Sequence, residues 1–252
     1  MVGINVDKGG SMRHFVIFLS GLLLICGGDA FGKESKSLAD QLRERAEASA
    51  KKAPPERRKV MMNAIEQLRK DKILAGVPKV GDKLKPFQLK DAKGKTVTST
   101  ALLQKTPLIV TFYRGGWCPY CNLQLRAFQK RLPEIQKRGA QLVAISPETA
   151  DNSLSTTQKN NLEYVVLSDT DNGYAKSLGL VFELPKDLQG LYQQFGIDLS
   201  KANGSKKWEL PLSATFVVDQ SGKVVYSWAN EDYKVRAPMD DVIGAIPATK
   251  SE

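Results

Sequence analysis

Two stretches near the start of the chain repeat apolar residues at helical spacing before any strand pattern begins. Leu38, Leu42 and Ala46 are four apart, and Met61, Ile65 and Leu68 are four and three apart, so each set shares one helical face. Pro54-Pro55 divides the two helices, and Pro55 suits the first turn of the second, with Glu56 behind it. A helical segment is therefore predicted over residues 33–76. From residue 77 the pattern changes to short strands alternating with helices. PFQLK and KTVTS flank Asp91-Ala92-Lys93-Gly94, a hairpin signal. The uninterrupted apolar run PLIVTFY, residues 107–113, reads as a buried central strand. A helix follows Cys121 through Leu123, Phe128 and Leu132, with Pro133 expected to bend it. QLVAIS (141–146) is the next strand, Glu148 to Asn161 a polar helix, and Tyr164 to Leu167 a further strand. ATFVVD (214–219) and KVVYSW (223–228) form two strands around Gln220-Ser221-Gly222, and Met239 to Ile246 closes as a helix. This order predicts a three-layer α/β domain with a mixed sheet over residues 77–252.

The first 32 residues belong to neither pattern. FVIFLSGLLLI (15–25), ending at Cys26, is too short for a bilayer span of about 20 residues. Met12-Arg13 precede it, and Ala30-Phe31-Gly32 place small residues where a cut after Gly32 needs them. That arrangement is a secretory signal peptide over residues 1–32. Residues 1–11 are polar and Gly-rich, so Met12 is the better start. A membrane anchor is one alternative. A lipoprotein cut before Cys26 is another, with Ile25 bulky where a small residue is wanted. The expectation is an exported, soluble, periplasmic or extracytoplasmic protein beginning near Lys33.

Composition sharpens the picture in three places. The 42% hydrophobic and 25% charged fractions suit a chain that buries a core rather than a disordered one. Half of the net charge of +10 falls in residues 33–76, which hold 12 basic and 7 acidic residues. Acids interleave with the bases there and no aromatic residue lies among them, so nucleic-acid binding is not expected. The only histidine is His14 and the only cysteines are Cys26, Cys118 and Cys121. With the leader removed, Ser-His-Asp and Cys-His catalysis are excluded, as are His-ligated and four-cysteine zinc sites.

One Cys-x-x-Cys remains, in FYRGGWCPYC, residues 112–121. The strand ends near Tyr113, Arg114-Gly115-Gly116 makes a loop, and a helix opens at Cys118 or Pro119. A thiol there faces unpaired backbone N–H groups and the positive end of the helix dipole, which favour thiolate. Arg114 and Arg126 are candidates to add positive charge. Both sulfurs fit within the first helical turn, so a reversible disulfide is sterically natural. A zinc half-site has no residue to complete it, and a purely structural bridge would close a longer loop. Asp-Thr-Asp-Asn-Gly at 169–173 opens like a calcium loop, but its twelfth position is Leu180, so it reads as a turn and helix cap. Trp208 and Trp228 read as core or edge-strand residues, Thr111 as packing below the site.

The stretch TFYRGGWCPYCNLQLRAFQ resembles thioredoxin-fold enzymes of the alkyl hydroperoxide reductase / thiol-specific antioxidant type, in particular peroxiredoxin-like proteins carrying FYRGGWCPYCN. LPLSATFVVDQSGKVVYSW and NEDYKVRAP are similar to that group's last strands and final loop, and KVGDKLKPFQL to its beginning. The resemblance covers most of residues 38–246 and implies a thioredoxin-like three-layer fold preceded by a helical segment. Peroxiredoxins carry Pro-x-x-x-Thr-x-x-Cys after a Phe-Tyr strand end. In that register Arg114 takes the Pro position, Cys118 the Thr position and Cys121 that of the cysteine attacking peroxide. Thioredoxins use the first cysteine of Trp-Cys-x-x-Cys, here Cys118 after Trp117. The Arg that peroxiredoxins place three residues before a strand Phe is Ser213 here, leaving Arg114 or Arg126 to substitute.

The expected function is a thiol peroxidase acting on hydrogen peroxide or organic hydroperoxides. Cys121 attacks, Cys118 resolves, an external thiol or thioredoxin-like protein reduces the bridge, and Arg114, Trp117 and Arg126 support the pair. No metal or organic cofactor is implied. Trp117 is expected to shield the sulfurs and to offer a flat surface to a redox partner, and the helical lead-in is compatible with a homodimer. The alternatives are a disulfide reductase or isomerase led by Cys118, and a non-enzymatic binding domain on the same fold.

Overall fold

A computed structural model describes residues 36–248, so the leader expected over residues 1–32 lies outside the described residues. Helix α1 (Leu38–Lys52) begins where the Ser37 hydroxyl accepts from the Asp40 N–H, capping it. Helix α2 (Pro55–Lys70) starts on Pro55 and leads into a 3-10 turn, Ile73–Gly76. Strands β1 (Gln88–Asp91) and β2 (Thr96–Thr98) form the expected hairpin, with Gly94 at φ 83° in its turn. A short helix, α3 (Ser99–Leu103), precedes β3 (Leu108–Phe112), every residue of which is buried. Then come α4 (Pro119–Lys137), β4 (Gln141–Ser146), α5 (Ala150–Lys159) and β5 (Val165–Ser168). Pro133 lies within α4, which runs on past it to Lys137.

Asp169 caps α6 (Gly173–Ser177) as a two-oxygen acceptor, from Tyr174 N–H at 2.9 Å and Ala175 N–H at 2.8 Å. The acidic run is a helix cap. An insertion the sequence pattern did not resolve follows: β6 (Val181–Glu183), α7 (Lys186–Gln194), α8 (Leu199–Asn203) and β7 (Glu209–Pro211). Strands β6 and β7 pair only with each other. The main sheet resumes with β8 (Ser213–Val218) and β9 (Val224–Asn230), and α9 (Met239–Gly244) is the last helix.

The seven-stranded sheet has the order β2-β1-β5-β4-β3-β8-β9. Strand β4 runs parallel to β3 and β5, and the other pairs are antiparallel, giving the expected mixed sheet. Alternation along the strands separates two cores. Ile109, Leu142, Ala144 and Val217 face α1, α4 and α9, where Leu42, Leu125, Phe128 and Val242 pack. Leu108, Val110, Phe112, Val143 and Phe216 face the other way, toward Leu68, Tyr174 and Leu180. A third cluster, Leu184, Leu188, Leu191 and Leu210, holds the insertion against Val60, Met61 and Ala64 of α2. Trp208 joins this third cluster, and Trp228 lies on the edge strand β9 against the first. Both lead-in helices thus belong to the same compact unit as the sheet.

Candidate active site

Strand β3 delivers Tyr113 to the carboxyl end of the sheet, where its N–H donates to Ile145 O at 3.0 Å. The chain then turns sharply: Gly115 has φ 145°, and the Cys118 N–H donates back to Gly115 O at 3.0 Å. A Cβ on Gly115 would overlap the Trp117 ring, so only glycine fits this turn. Cys118 is the N-cap of α4, with Pro119 at the first helical position, where its missing N–H leaves no bond unmade. Cys121 follows one turn later. Both are free thiols, 1% and 0% exposed.

Two guanidiniums meet the pair. Arg114 Nη2 lies 4.0 Å from Cys118 Sγ, and Arg236 Nη2 lies 3.5 Å from Cys121 Sγ. Each arginine is 5% exposed, and neither forms an ion pair with a described carboxylate. Arg114 is held among aromatic faces, 4.4 Å from the Tyr233 ring centre, 5.2 Å from Trp117 and 5.9 Å from Tyr192. Arg236 donates through Nη1 to the carbonyls of Tyr233 and Val235, which aims its other nitrogen at the sulfur.

Burial works against a thiolate on Cys118. Hydrogen bonding from Cys121 and the charges of Arg114 and Arg236 outweigh it and hold the Cys118 thiol well below the ordinary thiol range. Burial, then the Cys118 sulfur as hydrogen-bond partner and charge, pushes the Cys121 thiol well above that range. The two directions favour the charged form on Cys118 over Cys121. That direction is opposite to the order in the peroxiredoxin register, where Cys121 is the attacking cysteine, and it follows from the donors that Cys121 supplies to the N-cap sulfur.

The sequence-expected supports divide. Arg114 reaches the pair, and Trp117 sits half-buried against Tyr192, ring centres 5.6 Å apart, packed on the core that holds the cysteines. Arg114 and Tyr192 lie against one part of the Trp117 ring, and another part lines an open cleft. Arg126 does not reach the sulfurs. It is exposed on α4, with Nη1 donating to Asn160 Oδ1 at 2.8 Å. Five residues on from Cys121, it is turned about 140° around the helix. Replacing Arg126 with alanine is therefore expected to leave the thiolate titration of the pair, followed by alkylation rate against pH, within about 0.3 units of wild type.

Ser213, where the register looks for a supporting arginine, is buried at the start of β8, its hydroxyl without a hydrogen-bond partner. The missing cation comes instead from Arg236, in the loop after β9, 115 residues from Cys121. Arg236 stands in NEDYKVRAP, but no local pattern marks it, because it meets Cys121 only through the fold. Glu148 was also missed. It is 3% exposed behind the Gly115-Gly116 turn and accepts from Gly116 N–H at 2.9 Å, Tyr113 Oη at 3.1 Å and Thr156 Oγ1 at 3.0 Å. Burial raises its carboxyl above the usual range, partly offset by those hydrogen bonds. On its outer side lies a cleft of about 360 Å³, lined by Trp117, Asn152, Lys159 and Lys201 among others. A small cavity of about 20 Å³ adjoins Arg114, walled by Met61, Ile65, Tyr192 and Tyr233.

Known proteins resemble this chain. The profile of the AhpC/TSA family covers residues 80–227, from the segment before β1 into β9. A chloroplastic peroxiredoxin Q from Sedum lineare is 30% identical over 183 residues, 73% of this chain and 85% of that protein. One from Triticum aestivum is 30% identical over 145 residues, 58% of this chain and 56% of that protein. Among solved structures, the peroxidoxin BcpB from Mycobacterium tuberculosis superposes with a TM-score of 0.55 at 22% identity, covering 69% of this chain and 99% of its own. That likeness establishes the expected fold.

Proposed function

The chain belongs to the AhpC/TSA family, and from that premise we propose that Cys118 and Cys121 form the two-sulfur centre of a thiol peroxidase in which Cys118 attacks first. The observation that carries this reading is the place of Cys118 at the N-cap of α4 beside the Arg114 guanidinium, where Cys121, Arg114 and Arg236 hold its thiol below the ordinary range. The Cys118 thiolate attacks the terminal oxygen of a hydroperoxide, the O–O bond breaks, and sulfenic acid and an alkoxide or hydroxide form. The departing oxygen takes a proton and leaves as alcohol or water. Arg114 and Arg236 stand where negative charge spreads from sulfur to oxygen as the bond breaks. Cys121 then attacks the sulfenic sulfur, releasing water and closing the Cys118–Cys121 disulfide. An external thiol, for which a thioredoxin-like protein is suited, reduces that bridge by exchange. Export from the cytoplasm, implied by residues 1–32, is part of the same proposal.

A second reading has one observation in its favour. A thiolate at the N-cap directly after a tryptophan also suits attack on another protein's disulfide, with Cys121 resolving.

Stopped-flow tryptophan fluorescence separates these, since Trp117 packs on the core around the pair. The reduced protein is mixed with hydrogen peroxide, alongside Cys118→Ser and Cys121→Ser. Rapid oxidation that survives in Cys121→Ser and is lost in Cys118→Ser is the expected result, at least about 100-fold above free cysteine. The reverse pattern restores Cys121 as the attacking group. Oxidation of wild type no faster than free cysteine's leaves disulfide exchange led by Cys118.

A further inference from the structure

Glu148 stands just beyond β4 and is almost fully buried, yet it forms no ion pair with a described residue. A carboxylate in that setting is expensive unless hydrogen bonds fill it, and here three donors do. Two of them come from the reactive loop. The Tyr113 hydroxyl and the Gly116 N–H bracket Arg114 and Gly115, so one carboxylate ties both ends of the turn that carries the Arg114 guanidinium. The far side of Gly116 is gripped as well. Its carbonyl accepts from Asn122 Nδ2 at 2.8 Å and Lys159 Nζ at 3.5 Å, and Asn122 is itself held by Asn160 at 2.9 Å. Asn122 lies next to Cys121 on α4, so the loop and the helix that present the two sulfurs are joined through Gly116.

We propose that Glu148 is a positioning residue for the thiol pair, holding the Arg114–Trp117 turn so that the Arg114 guanidinium faces Cys118. It touches neither sulfur, and its effect passes through Tyr113 and Gly116. The proposal rests on Cys118 being the thiolate of the functional pair. The other charged groups near Glu148 are Lys159 on α5 and Asp198 and Lys201 at α8, which line the same outer cleft, with Tyr113 facing it from the end of β3.

Glu148→Gln separates positioning from simple charge, because the two act with opposite sign. Removing a negative charge alone makes the Cys118 thiolate easier to form. Releasing the turn moves Arg114 away and makes it harder. The glutamine amide keeps an acceptor for Gly116 N–H but offers Thr156 and Tyr113 donors where they met acceptors, so the fold is retained and the geometry is not. The reading is the rate of alkylation of the reduced protein against pH, with thiolate absorbance as a check. The expected result is a titration about one unit higher than wild type, and a peroxide reaction slowed about 10–100-fold. An unchanged or lower titration overturns the proposal. Thr156→Val removes one of the three donors with little change of shape and is expected to shift the titration in the same direction by less. Should Glu148→Gln fail to fold, an unchanged titration in Thr156→Val overturns the proposal by itself. Alkylation needs no peroxide, so a protein that proves inactive toward peroxide still reports on Glu148.

Discussion

Replacing Arg236 with methionine is expected to slow peroxide oxidation of the reduced protein by about 100–1,000-fold, the usual loss when one preorganised charge partner is removed from a reacting centre. The protein should still fold. Arg236 is buried without a carboxylate partner, and an unbranched apolar side chain of similar length relieves a desolvated charge rather than creating one. What is lost is the guanidinium 3.5 Å from Cys121 Sγ that also lowers the Cys118 thiol. The sign of the pH effect follows. In wild type the thiolate fraction, and with it the rate, falls only as pH drops through the lowered Cys118 value. Without Arg236 that value rises, so the acid limb of the rate profile moves to higher pH and the deficit is greatest below it. Stopped-flow rates across pH decide the matter, and an acid limb that stays in place removes Arg236 from the mechanism. Arg114→Met should move the limb the same way, and the two shifts need not add because both cations act on one charge.

The second large effect is expected at Gly116. A Cβ there would overlap Thr156 Oγ1, whose hydrogen bond to Glu148 it would displace, with Thr156 Cβ and Cγ2 close behind. Thr156 is buried on α5 and cannot swing away into solvent. Gly116→Ala therefore forces the reactive turn and α5 apart at a cost of about 2–4 kcal/mol, from overpacking together with a broken buried hydrogen bond. Denaturant unfolding measures it. Adding Thr156→Ala removes the overlapping hydroxyl and methyl and should recover at least about 1 kcal/mol of that loss. A double variant no more stable than Gly116→Ala alone would mean that the clash lies elsewhere.

How much of this was readable beforehand depended on how local the physics was. Strands β3 and β4 announced themselves as apolar runs because both faces of each are covered, and β4 occupies the residues read for it, Gln141–Ser146. The place of Cys118 at the head of a helix was readable because Pro119 next to it is a first-turn residue. The faces of α1 and α2 followed from spacing, with Leu42, Ile65 and Leu68 buried. The insertion between α6 and β8 was not readable. Its elements are three to nine residues long, and its core closes against α2, more than a hundred residues earlier, and against Trp117.

The site divides along the same line. The sequence alone established a mixed α/β domain and a Cys118–Cys121 pair set between a strand, a loop and a helix, since these are properties of neighbouring residues. Which cations serve that centre was beyond it. Arg126 is near in sequence but points to solvent, whereas Arg236 and Glu148 reach the loop through the packing of β8, β9 and β4 against β3. Only tertiary packing decided which cation faces which sulfur. Both cysteines are equally buried and lie one helical turn apart, so the thiolate is assigned by differences of a few ångströms in donors from distant segments. Interactions between charges and hydrogen-bond donors in a dry interior depend on those distances, and no local pattern of residues encodes them.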